Sequence, residues 1–376
     1  MRLRHVNSHR LERWLGTEKV EMLSRNFRHW YGPPVNLRDV PGSVWVTAGG
    51  EFIGDFDRGG YHSALDAFFE WLKRLNREIA KPQYATLGVG FASISDALNR
   101  ASSGYSQMLG GGPVAKVGPT GVANVASTLW RLGSQPAAGS APSAAPGGRA
   151  PTSATTGAMK YTNPSSGTLH LTGADFSASV VNNALLLYDR IFDVLKTMNS
   201  SAAESVTGVP TRYQSSTSTN ADYAGGNFLM IEVGGTALAA TAHSWASCTY
   251  RNQAGTDAQA LPTVTGNSGA IVDRLDHPAG FWFCPLASGD TGIMDLANIQ
   301  CSAAVATGVI NFVIGHPIGV MTFPIANPLL PFDWLTNRSQ APRIFDDACL
   351  ALLELCKPTT TATTYGGMLY ATNAAP

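Results

Sequence analysis

Apolar positions along the first eighty residues follow a helical beat. In "SALDAFFEWLKRLNREIAKP", Leu65, Phe68, Phe69, Leu72, Leu75 and Ile79 fall on one face. That spacing predicts a helix with Ser63 as N-cap and Pro82 as stop. Just upstream, "GSVWVTAGGEFIGDF" holds two short β-prone runs split by Gly49-Gly50, which predicts a hairpin. Residues 1–82 therefore read as a small α+β module.

From residue 160 the beat changes. "TLHLTGADF" alternates apolar and polar residues, as a strand does. In "SASVVNNALLLYDRIFDVLKTMN", Val181, Leu185, Tyr188, Ile191 or Phe192, Leu195 and Met198 recur at about 3.6 residues, which predicts one long helix. The same stretch is also a continuous apolar run, so a strand centred on Leu185–Tyr188 is the alternative, with the helix kept for the second half. Short β-prone runs follow: "NFLMIEVG", "SWASCTYRN", "GAIVDRL", "GFWFCPL", "ANIQCSAAVA" and "GVINFVIGHPIGVM". Gly, Pro, Asn and Asp bound each of them. In "RIFDDACLALLELCKP", Phe345, Cys349, Leu352, Leu353 and Cys356 suggest a last helix. The uncharged tail 358–376 suggests a strand added to a neighbour's sheet edge. The expected fold is α+β, with 160–376 a mainly antiparallel sandwich or jelly-roll-like domain crossed by one long helix.

Residues 83–159 have no such pattern. Between 101 and 159 there is no acidic residue, and the basic ones are Lys116, Arg131 and Arg149. The core of this stretch, "GSQPAAGSAPSAAPGGRAPTSATTG", is built almost wholly from Ala, Gly, Pro, Ser and Thr. Such a segment buries too little apolar surface to offset the entropy of ordering itself. It reads as a flexible connecting arm that a neighbouring surface would have to order. Residues 133–157 and 358–376 are thus candidate contact segments. Trp130, Pro136, Pro142, Pro146, Tyr365 and Tyr370 are the candidate interface residues, since aromatics dominate such contacts.

Composition sharpens this. Only 14% of the 376 residues are charged, against about a quarter in ordinary domains. Hydrophobic content is ordinary at 44%. A surface made of Ala, Gly, Ser, Thr and Asn suits contact with other protein better than bulk water. The net charge of zero hides an excess of basic residues in 1–38, where Arg2, Arg4, Arg10 and Arg13 form a candidate patch for DNA or an acidic neighbour. The five cysteines form no CxxC pair, which argues against a disulfide framework or zinc ribbon. No run of eighteen apolar residues predicts a membrane span, and "MRLRHVNSHR" has no secretory apolar region.

Two stretches resemble protease signatures: "ATAHSWASC" with His243, and "TVTGNSGAIV" with Ser268. With Asp273 or Asp276 they supply the residue types of a catalytic triad. Yet the His and Ser lie far closer than in the two-barrel proteases, and "TGNSGA" reads more simply as a turn. His316 in "VIGHPIG" reads as a core or turn residue. Neither HExxH nor a P-loop pattern occurs, and "GVGFAS" lacks the third glycine of a dinucleotide loop. The chain predicts no catalytic residue, no metal ligand set and no cofactor. A sugar-cleaving or sugar-binding β domain is the alternative, since scattered carboxylates leave it open.

The order "STLWRLG", the small-residue run, "TTGAMKYTNPSSGTLHL", "LLLYDRIFDV", "TRYQS", "CTYRNQAGT" and "PLASGDTGI" resembles virion structural proteins of tailed bacteriophages. The likeness spans roughly residues 120–320 and consists of packing and turn motifs. It implies a non-enzymatic coat, capsid-associated or decoration protein, assembled in the host cytoplasm. Its partners would be copies of itself and other virion proteins, with no membrane. A tail or receptor-binding protein is the second expectation.

Overall fold

The computed structural model describes residues 44–46, 52–55, 91, 93–120, 122–213, 226–277, 282–335, 341–356 and 359–374. The chain divides into two compact units, Met1–Thr86 and Leu87–Pro376. In the first, β1 (Val44–Val46) pairs antiparallel with β2 (Phe52–Asp55), where the hairpin was expected. The predicted helix over 63–82 and Arg2, Arg4, Arg10 and Arg13 lie outside the described residues.

The second unit is mostly antiparallel β-sheet. Among the described residues its one helix is α1 (Ile94–Ser102), capped by the Ser93 hydroxyl, which accepts from the Asp96 amide. One five-stranded sheet contains β3 (Ser106–Val117), β5 (Thr168–Ala178), β15 (Leu330–Asp333), β16 (Arg343–Ile344) and β18 (Thr364–Ala374). A second contains β4 (Ser127–Thr128), β6 (Asn183–Thr197), β8 (Phe228–Val233), β14 (Val309–Phe323) and β17 (Leu350–Cys356). A four-stranded sheet holds β7 (Glu204–Ser205), β10 (Thr249–Asn252), β11 (Gln259–Ala260) and β13 (Ile293–Ile299), and β9 (Ser244–Trp245) pairs with β12 (Val264–Thr265).

The long helix and the last helix expected from sequence are strands β6 and β17, and for β6 the alternative centred on Leu185–Tyr188 is the one observed. Every residue of β6 from Asn183 to Val194 is buried. Leu185 and Leu187 pack with β5 and β18, while Leu186 and Tyr188 face a separate cluster with Met230, Val313 and Leu353. β17 repeats this, with Leu350 and Leu352 on one side and Ala351, Leu353 and Leu355 on the other. A strand buried on both faces loses its alternation and reads as an apolar run. In such a run a 3.6-residue beat can be picked out without being present.

The second sheet closes on itself. The segment 273–276 bonds to both of its edges. On the β4 side, Thr128 N–H donates to Asp273 O (2.8 Å) and Leu275 N–H to Ala126 O (3.0 Å). On the β8 side, Asp273 N–H donates to Val233 O (3.0 Å), Val233 N–H to Arg274 O (2.8 Å) and Asp276 N–H to Ile231 O (2.8 Å). The sheet is therefore a small barrel, and the cluster of Leu186, Tyr188, Met230, Leu275, Val313 and Leu353 fills it. The β3–β5–β18 sheet covers one outer side, and the smaller sheets cover another through Trp245, Tyr250 and Leu296.

The tail is a further correction. β18 pairs with β5 on one side and β3 on the other, so it completes this chain's own sheet and offers no free edge.

Candidate functional site

The small-residue segment is where sequence and structure differ most. Residues 83–159 include α1 and β3, and residues 133–157 are ordered by their own chain. Ala115 and Gln135 exchange backbone bonds (2.8 and 3.1 Å). Leu195 N–H donates to Ser143 O (2.9 Å), and Arg149 and Asp193 exchange bonds of 2.7 and 2.9 Å. The strap thus runs along β6, whose outer backbone groups supply the partner surface that its composition requires.

Small side chains are needed there for a steric reason. A Cβ on Gly139 would lie 2.1 Å from the Trp130 ring, and one on Gly157 (φ +96°) would lie 2.2 Å from the Gly139 Cα. The two ends of the strap cross over the indole, and only glycine permits that approach.

Beneath the strap lies a buried ionic cluster. The Arg190 guanidinium donates to Glu232 (2.6 and 3.1 Å) and to Asp193 Oδ2 (2.7 Å), with all three side chains fully buried. Asn311 Nδ2 donates to Glu232 Oε1 (3.0 Å). Arg149, from the strap, donates two bonds to Asp193 (2.9 and 2.6 Å) and one to Ser140 Oγ (2.6 Å). The Trp130 ring receives Arg190 at 5.0 Å and Arg149 at 5.9 Å, both within cation–π range. Two cations meet two carboxylates, so the cluster is neutral only while Arg149 is in place.

Trp130 is thus an interior residue of this chain rather than an exposed anchor. Tyr365 is likewise fully buried, bonded to Glu354 Oε1 (2.8 Å) and accepting from Asn183 (2.8 Å). Pro136 and Pro142 are buried, Tyr370 is half-buried with its hydroxyl on Asp175 (3.3 Å), and Pro146 is exposed. These residues do not converge on one face. The signal that separates them is the run of glycines, which marks close approach rather than flexibility.

The protease-like residues do converge, but not as a triad. His243 Nε2 lies 2.9 Å from Asp276 Oδ2 and its Nδ1 lies 3.0 Å from Thr241 O. Both partners are acceptors, so the ring meets both only when doubly protonated, and its nitrogens are engaged away from the Ser268 hydroxyl. Ser268 Oγ donates to Thr241 O (3.0 Å), away from any nucleophilic pose. Asp276 also accepts from Trp245 Nε1 (2.8 Å) and the Asn267 amide (2.6 Å). Burial alone would lower the His243 pKa, but the hydrogen bond and charge of Asp276 outweigh it and raise the value. Burial pushes Asp276 up, and these same contacts prevail and hold it below the ordinary carboxylate range.

No protein-family model, curated protein or solved structure matches this chain.

Other titratable groups are internal as well. His316 stacks on Tyr213 at 4.0 Å and bonds Asn227 Oδ1 (2.7 Å), and burial pushes its pKa down to about 3. His277 accepts the Ile231 amide at Nε2 (2.9 Å), and burial pushes it down to about 4. Lys116, Asp189, Arg190, Asp193, Lys196, Glu232, Asp273, Asp276 and Glu354 are all buried. Several large apolar side chains stand outside. Ile94 (63% exposed) and Leu98 (52%) lie one turn apart on α1. Ile325 (57%) and Leu329 (55%) sit in the β14–β15 loop, which is joined to the β5–β6 turn holding exposed Val181 by the Asn182–Phe323 and Asn327–Ala178 backbone bonds. No helix among the described residues is long and apolar enough to cross a membrane.

Proposed function

We propose that this chain is a non-enzymatic structural subunit of a tailed-phage virion, a coat or capsid-associated protein that assembles by protein–protein contact. The observation that carries the reading is the placement of charge. A chain with only 14% charged residues commits nine of them to its interior, so even this small complement is not all available to its surface. Surfaces depleted of charge and carrying isolated large apolar side chains suit packing against other protein. The engagement of both His243 nitrogens with Asp276 and Thr241, away from Ser268, is in keeping with a role in packing rather than in a triad. The finer architecture fits the same role: a closed barrel with a sandwiched sheet gives a rigid block whose strand edges are largely occupied internally, leaving loops and helix faces for contacts.

The test is negative-stain microscopy with sedimentation of the purified chain, beside an Ile325→Asp/Leu329→Asp variant. Regular multimers that disappear in a variant with unchanged circular dichroism are the expected result. A wild-type chain that remains monomeric at every concentration overturns self-assembly.

A further inference from the structure

The barrel is closed unevenly. β6 and β14 are joined by a ladder running from Val309–Thr197 to Phe323–Asn183. The closure at 273–276 consists of the isolated bridges Ser127–Arg274 and Glu232–Leu275 with their adjoining backbone bonds. Local opening begins where the fewest cooperative bonds must break. That segment is fastened by the carboxylates at its two ends. Asp276 holds His243, Trp245 and the Asn267 amide. Asp273, at a positive φ of 69°, lies 3.6 Å from Arg131.

We propose that this seam is a pH-gated opening of the barrel, held shut by the His243 imidazolium on Asp276. The geometry favours the doubly protonated ring, because both ring nitrogens face acceptors. Loss of the proton removes one donor from Thr241 O, which keeps Ser268 Oγ, or from Asp276, which keeps Trp245 Nε1 and the Asn267 amide, and it removes the charge that faces the buried carboxylate. Packed around His243 are Asp276, the Trp245 ring and Gly266, so Asp276 is the charge that faces it. His277, Cys284 and Cys301 are the other titratable groups near Asp276. Lys116 and Glu232 face Asp273 together with Arg131.

The signs agree across the seam. A raised His243 pKa stabilises the closed form below about pH 6.5, the ordinary value, and that contribution is lost as pH rises through the raised value. Burial raises Asp273 to about 6, so its neutral form also favours closure at lower pH. Lys116, lowered by burial to about 8, acts oppositely but only above that pH. Asp276 loosens the seam only in strong acid, when pH falls through its depressed pKa.

Hydrogen exchange tests this on the wild-type chain from pH 6 to 9, after correction for intrinsic rates, with histidine ¹⁵N shifts recorded in parallel. The His243 ring should be doubly protonated at pH 6 and should lose its proton only as pH rises past the ordinary imidazole value. The opening constant at Thr128, Val233, Leu275 and Asp276 should rise about tenfold per pH unit from about 6.5 to the raised pKa and then level off. The β6–β14 amides should not follow it. In Asp276→Asn, seam protection should already be low at pH 6 while β6–β14 protection persists. A neutral His243 ring at pH 6, or seam amides that track β6–β14 across the range, overturns the proposal. Should Asp276→Asn fail to fold, the wild-type comparison decides alone.

Discussion

Replacing Arg149 with methionine keeps the aliphatic stem and removes one charge from the cluster beneath the strap. In the native fold Arg149 and Arg190 face Asp193 and Glu232, and without Arg149 one negative charge is left over in a site where Asp193, Arg190 and Glu232 are fully buried. Breaking a buried pair by removing one partner costs about 3–5 kcal/mol. The Arg149 side chain itself is 20% exposed, which brings the figure toward the lower end, and loss of its contact with Trp130 adds about 0.5 kcal/mol. The expected destabilisation is about 3 kcal/mol, read as a lowered urea midpoint with an unchanged slope. Pairing it with Asp193→Asn restores neutrality, since Arg190 and Glu232 then balance. The double variant should therefore be about 2 kcal/mol more stable than the sum of the two single effects implies. Limited proteolysis supplies a second readout, because residues 133–157 should become cleavable in Arg149→Met and less so in the double variant. A cost below about 0.5 kcal/mol, typical of an exposed pair, or strict additivity in the cycle would refute the charge-balance reasoning.

Two further outcomes follow from buried groups and from strand order. His277 is neutral and fully buried with a pKa near 4, against an ordinary 6.5. The unfolded chain takes up its proton first, so the stability this residue contributes is complete above pH 6.5 and is lost as pH falls toward 4. The stability gap between wild type and His277→Gln should shrink by about 3 kcal/mol from pH 7 to pH 4 in urea titrations, and a gap that stays constant contradicts the assignment. Ending the chain before Thr364 removes the strand between β5 and β3. It should abolish cooperative unfolding altogether, whereas a folded monomer that merely fails to assemble would return the tail to the role of an intersubunit contact.

How much of this could be read from sequence depends on which forces write a local pattern. The β5 strand was legible because its alternation survives, and β8 and β14 because turn residues bound them. The strand β6 was legible only as the alternative centred on Leu185–Tyr188, and β17 not at all: burial on two faces erases the period of two, and Leu186 and Leu187 look alike although they point into different clusters. The run 269–275 reads as a strand but joins its neighbours only through single bridges. Trp130 stood out in the sequence as an interface anchor, whereas its partners in the fold, Arg149, Arg190 and the glycines over its ring, are internal and spread over sixty residues of chain. Neither spacing nor composition records such a meeting. The small-residue strap illustrates the general point, since low complexity reports what a segment cannot do alone and says nothing of the surface waiting for it.

The place of β18 also sets a timetable. Its neighbours β3 and β5 are bonded to it rather than to each other. From the end of β5 at Ala178 to the start of β18 at Thr364 lie 364 − 178 = 186 positions. At ribosomal speeds of roughly 5–20 residues per second that gap lasts on the order of ten to forty seconds. Throughout it, Leu109 and Val114 on one strand and Leu169 and Phe176 on the other have emerged with the strand between them still unmade. A growing chain in that condition is a natural client for a chaperone, and its sheet is sewn shut only by its last stitch.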